Sequence, residues 1–190
     1  MVHESYPWKQ DLRRRRKNLL LRYNKADRFD ANYEATYTVI EKAIFYSAFI
    51  IRKLIDSDRL STEADEWKIQ IEKYPALKEF DRIHHFVDED SHDWENGQGL
   101  TIPAKNICNW LIHSYVFTLM FENGIVDAFA VASDFDRNDS LFVIKLADWI
   151  KYMEFVASDY VVARYARAEE VKLRKDKFVW DYISKYKERG

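Results

Sequence analysis

The sequence predicts an α+β fold, with a helical N-terminal half built round a long buried central helix and a small antiparallel sheet towards the C-terminus. Three observations carry this. Between residues 33 and 55, Tyr37, Ile40, Ile44, Ala48, Ile51 and Ile55 recur at helical spacing. Within that stretch, AIFYSAFII (43–51) is apolar nearly all round, which places it among other protein elements on most sides. Beyond residue 121, VDAFAVASD and LFVIKL flank the turn FDRNDS, the pattern of a β-hairpin.

The elements follow in order. Pro7 is a good first helical residue, and Leu12, Leu19 and Leu20 share a face of a basic amphipathic helix over 7–25. Arg13 to Lys17 fall mostly on its wetted side. Asp30 or Asn32 caps the central helix, whose last turn carries Arg52 and Lys53. After the polar break DSDRLSTEAD, the alternation of Trp67, Ile69 and Ile71 with charged residues reads as a strand, with a short amphipathic helix as its rival. Residues 81–99 are acidic, His-rich and irregular. GLTIPAK is a brief strand feeding a helix at Pro103, expected to run through NICNWLIHSYVFTLMF to about Phe121 and to stop at ENG. After the hairpin, ADWIKYMEFVA is a helix and DYVVARYAR a third strand, with KFVWDYI as its partner. The stretch RYARAEEVKLRKDK also suits a helix, so residues 164–176 stay open between the two.

A chain of 190 residues suits one domain, with a helical core over about 7–121 and a sheet-containing part over about 122–190. The aromatic content of 16% predicts a core in which Tyr and Trp polar tips reach hydrogen-bond partners. A net charge of −2 gives no global attraction to nucleic acid, so such binding needs a local patch. The single Cys108 suits a reducing interior, and neither a signal-peptide pattern nor a membrane-length apolar run is seen; a cytoplasmic protein is expected, with no membrane association.

One stretch carries a candidate site. In NICNWLIHSY (106–115), Asn109 and His113 are four residues apart and share a helix face, while Cys108 and Tyr115 share another. The spacing Cys108-x4-His113-x-Tyr115 resembles the Arg-x4-His-x-Tyr motif of HEPN-type ribonuclease toxins, with the polar Asn109 following the arginine position. The resemblance implies an all-helical core in which the motif lies on a late helix packed against a long central one. It implies a metal-independent ribonuclease in which arginine stabilises charge on the scissile phosphate and histidine assists the 2′-hydroxyl. His113, Tyr115 and Asn109 are then the candidate catalytic residues. Cys108 stands where the arginine belongs, and a thiol offers neither permanent charge nor a fork of donors. The bland alternative is a buried helix whose His113 and Asn109 are hydrogen-bonded core groups and whose Cys108 is inert. The YPWKQDL start and the IHS segment also resemble uncharacterised bacterial proteins, which implies no function.

The remaining constellations are weaker. His84, His85, Asp88, Glu89, Asp90, His92, Asp93 and Glu95 offer imidazole and carboxylate without metal-site spacing, so a solvated loop is expected and no metal or other cofactor. SDFDRNDS starts like a calcium loop but has Asp139 where glycine is needed and Lys145 where glutamate is needed. Arg13, Arg14, Arg15, Arg16 and Lys17 form a cationic run suited to phosphates or to an acidic partner. Lys172, Arg174, Lys175 and Lys177 lie near Tyr165, Phe178 and Trp180, a second basic–aromatic cluster diluted by Glu169, Glu170 and Asp176.

The function expected is a non-catalytic regulatory or interaction module with a HEPN-like core. It would bind a protein partner, a second copy of itself, or nucleic acid through the basic helix. The resemblance alone implies an antiviral-defence or toxin–antitoxin setting. The alternative is the ribonuclease using His113. The module expects His113 to be buried; the nuclease needs it accessible, beside a cation such as Arg52 or Lys105.

Overall fold

Hydrophobic periodicity puts most elements where the sequence expects them. The computed structural model describes residues 2–23, 33–81, 86–169 and 177–184. Helix α1 (Tyr6–Tyr23) and helix α2 (Tyr33–Ile55) are followed by a single turn, α3 (Thr62–Asp65), which Ser61 caps through its hydroxyl. Then come β1 (Lys68–Pro75), β2 (Gln98–Pro103), α4 (Ala104–Ile112), β3 (Ser114–Glu122), β4 (Ile125–Ser133), β5 (Ser140–Lys145), α5 (Leu146–Ser158), β6 (Val161–Glu169) and β7 (Lys177–Ser184).

Strands β1 to β5 form one antiparallel sheet in the order β2-β1-β5-β4-β3. Side chains alternate across it, so β1, β3, β4 and β5 each feed a core on either face, while β2 offers only Ile102 to the helix side. Ile69, Ile71, Leu119, Phe129, Val131, Phe142 and Ile144 meet the helices on one face. Val116, Ala128, Ala130, Ala132, Leu141 and Val143 point to the other, where Phe80, Val87 and Trp94 from segment 76–97 cover part of the sheet. The helix-side core closes on Trp149 and Tyr152 of α5, both fully buried. Their polar tips find partners as expected: Trp149 Nε1 donates to Ser47 Oγ at 2.9 Å, and the Tyr152 hydroxyl donates to the Ala64 carbonyl at 3.1 Å.

The α+β class holds, with four corrections of detail. The helix expected to reach Phe121 ends at Ile112, and the residues after His113 form β3. Asn123 and Gly124 both have positive φ, 51° and 74°, and turn β3 into β4. ENG is thus a tight hairpin turn, for which Asn-Gly is the favoured pair, and not a helix stop. The strands β6 and β7 pair only with each other and do not extend the main sheet. Finally, α2 is not covered all round: Tyr46 and Phe49 are 50% and 42% exposed. No helix among the described residues is long and apolar enough to cross a membrane.

Candidate functional site

The expected motif is split between two elements. Asn109 lies on α4, His113 is the residue that ends it, and Tyr115 lies on β3. The His113 backbone N–H donates to the Asn109 carbonyl, and its own carbonyl accepts from Asp134 N–H at 3.1 Å. The ring is exposed, contrary to the burial expected of an interaction module's core histidine. The cause is local: one residue beyond Ile112 the chain leaves the helix, so the imidazole projects at the helix end instead of along its buried face. Arg52 Nη1 donates to Asn109 Oδ1 at 2.6 Å, and its Nε pairs with Asp56 at 2.9 Å. A guanidinium from the central helix therefore reaches the motif, as the nuclease alternative requires, with its Nη1 and Nε already engaged by Asn109 and Asp56. Lys105 lies 3.8 Å from Asp65. Tyr115 is stacked under Arg137, 4.3 Å from ring centre to guanidinium carbon. Cys108 is fully buried, and burial pushes its thiol up to about 12 against the weaker pull of Arg52. Burial and a raised pKa are the surroundings in which a thiol is least nucleophilic.

The cationic run on α1 is likewise divided by packing. Arg13 donates to the Ala157 carbonyl at 2.7 Å and Arg16 pairs with Glu154 at 2.5 Å, so both fasten α1 to α5. Arg15 pairs with Asp11 on its own helix at 3.1 Å. Only Arg14 and Lys17 of the five are exposed.

A feature that sequence reading missed stands beside them. On α2, Lys42, Tyr46, Phe49 and Lys53 are all exposed. Their spacing of four, three and four residues puts them in one stripe along the helix. Arg15 lies 4.3 Å from the Tyr46 ring centre, and Lys53 lies 5.5 Å from that of Phe49. Trp8 of α1 flanks Phe49, with ring centres 6.2 Å apart. The result is a ridge in which two adjacent rings are flanked by cations. The periodic signal was present, but inside a run apolar all round nothing marks the face that stays uncovered.

Segment 76–97 has a structural role in the described part. His92 is buried, with Nδ1 2.9 Å from Ser91 Oγ and its ring 5.2 Å from that of Phe80. Burial pulls its pKa down to about 4, opposed only weakly by Asp88. Asp88 Oδ1 accepts from Asp90 N–H at 3.1 Å, closing a turn. Among the described residues no group of three or more His, Cys, Asp or Glu is placed to hold a metal. His84 and His85 lie outside the described residues, as do Lys172, Arg174 and Lys175 of the C-terminal basic cluster. The turn at 134–139 is closed by Arg137 on Asp134 and by Ser133 on Asp136, a hairpin connection rather than a calcium loop.

A concavity lies elsewhere. On the sheet face away from the helices, where segment 76–97 stops, a groove of about 520 Å³ is lined by all five strands and the start of α5. Comparison with protein-family models, with curated proteins and with solved structures returns no match.

Proposed function

We propose that the chain is a non-catalytic interaction module that holds a single-stranded nucleic acid on the outer face of α1 and α2. The observation that carries the reading is the Lys42–Tyr46–Phe49–Lys53 stripe, with Arg15 stacked on Tyr46. Bases present π-faces of any sequence, so exposed rings between cations bind strands without reading them. The cations supply phosphate contacts, as does Arg14 on α1. The chain's near-neutral net charge does not oppose this, because the field that matters is local. The test is anisotropy of a labelled single-stranded RNA titrated with the protein. Replacing Tyr46 and Phe49 by Ala weakens binding strongly, and replacing Lys42 and Lys53 by Gln flattens its salt dependence. Unchanged affinity and slope in both double variants reject the reading.

A second reading, metal-independent RNA cleavage by His113, is favoured by two observations: the ring is exposed, and the Arg52 guanidinium reaches Asn109 one helical turn away. Histidine suits proton transfer near neutral pH. It ranks second because the Arg52 charge is already paired with Asp56 and its Nη1 is held by Asn109, which weakens its pull on a phosphate. Labelled RNA cut by the wild type but not by His113→Ala would reverse that order.

A further inference from the structure

We propose that the groove on the helix-free face of the sheet docks an extended, lysine- or arginine-bearing peptide segment of a partner protein. The floor is apolar and small: Ala128 and Val143 are buried there, with Met120 beside them and Gly99 on the edge strand β2. The rim is acidic. Glu72, Glu122, Asp127 and Asp148 line the groove; Lys145 pairs with Asp127 and Lys151 of α5 holds Asp148 at 2.7 Å, which leaves Glu72 and Glu122 without a cationic partner among these lysines. Such a surface matches a strand-like segment whose apolar side chains face down and whose cationic ones reach outward to carboxylates. Five strands at about 4.8 Å spacing make the groove roughly 19 Å long, enough for about six extended residues.

Lys145 reports on the local field. Its ammonium donates to Asp127, and its pKa is raised first by that bond and then by Glu122 and Glu72. A cation at this spot is therefore already stabilised by carboxylates from three strands. The boundary of the groove is also defined. Tyr74 stands between its open and covered halves, its ring 5.0 Å from that of Trp94 and its hydroxyl donating to Glu72 at 2.5 Å. Gly97 approaches so closely that a Cβ there would lie 2.6 Å from the Tyr74 ring, so segment 76–97 is packed down tightly at that edge. At Gly99, by contrast, an added Cβ meets nothing within 4 Å, which leaves the groove open from the β2 side. A free polyamine shares the charge but makes no use of the apolar floor.

The experiment uses the full chain and two labelled synthetic peptides, alternating lysine–valine and alternating glutamate–valine, with spermine as a competitor. The lysine peptide binds and the glutamate peptide does not. Glu72→Gln with Glu122→Gln weakens the lysine peptide by about tenfold or more. Gly99→Phe, which projects a ring into the groove from a position with room for it, abolishes binding while thermal unfolding stays unchanged. Lys42→Gln with Lys53→Gln on the far side of the molecule changes nothing. Equal binding of both peptides, indifference to both groove variants, or spermine binding as tightly as the lysine peptide would overturn the proposal. None of these outcomes bears on the nucleic-acid reading, which rests on the α1–α2 ridge alone.

Discussion

The outer face of α1 and α2 and the open face of the sheet are built from similar materials to opposite effect. Both expose apolar surface among charges. On the helices the charges beside the exposed rings are Arg15, Lys42 and Lys53, whereas round the groove they are four carboxylates and one lysine. The helical ridge is convex and offers ring faces; the groove is concave and offers a small-residue floor. A net charge of −2 therefore says nothing of the sign of either face. What a partner meets is the nearer field, since salt screens charges beyond about 8 Å.

The two faces lie on opposite sides of one sheet, and the largest expected effect is on both at once. Trp149 lies fully buried between the sheet and α2, beside Phe129 and bonded to Ser47. Trp149→Ala should cost roughly 3–5 kcal/mol, read from denaturant midpoints. Loss of one face with the other intact would show that the faces fold as separate units. Next in size, Tyr46→Ala with Phe49→Ala should cost about 1–3 kcal/mol of RNA affinity for each stacked base. Stability should move far less, because both rings are substantially exposed. Lys42→Gln with Lys53→Gln should lower the salt slope by about 0.7 for each phosphate no longer neutralised. The peptide groove should be indifferent to all four substitutions.

A further effect separates the faces by pH. The unfolded chain protonates His92 near pH 6.5, but the folded chain does so only near 4. Between those values the unfolded state binds the extra proton, so stability falls as pH drops through the window and the loss is complete below about 4. Segment 76–97 should loosen first, seen as faster amide exchange there than in α1 and α2. His92→Gln should flatten this part of the pH profile. An equal loosening of the helices would place the pH-sensitive group elsewhere.

Arg13 and Arg16 show why the basic run was hard to interpret. Five adjacent cations look alike in sequence, yet Arg13 and Arg16 face α5 while Arg14 faces water. Neutralising the whole run would loosen the α1–α5 packing as well as remove charge, so the stripe on α2 is the cleaner place to test nucleic-acid binding. The motif stretch teaches a related lesson. Residues 104–112 and 114–122 join without glycine or proline, so a helical pattern ran on unchallenged into β3. The signal that could have separated them was Asn123-Gly124, together with the β-branched and aromatic run Tyr115, Val116, Phe117 and Thr118.

By itself the sequence determined the α+β class, the start of α1, the extent of α2 and α5, the strand β2 and the β4–β5 hairpin, and it favoured a strand over a helix at β1. These follow from periodicity, turn chemistry and residue type, which act over a few neighbouring positions. Only the tertiary structure decided which side of α2 stayed uncovered, which arginines were consumed by α5, that His113 emerged into solvent, and that carboxylates from β1, β3, β4 and α5 surround one groove. Those outcomes depend on packing between segments far apart in the chain, and no local pattern encodes which surface a distant segment will bury.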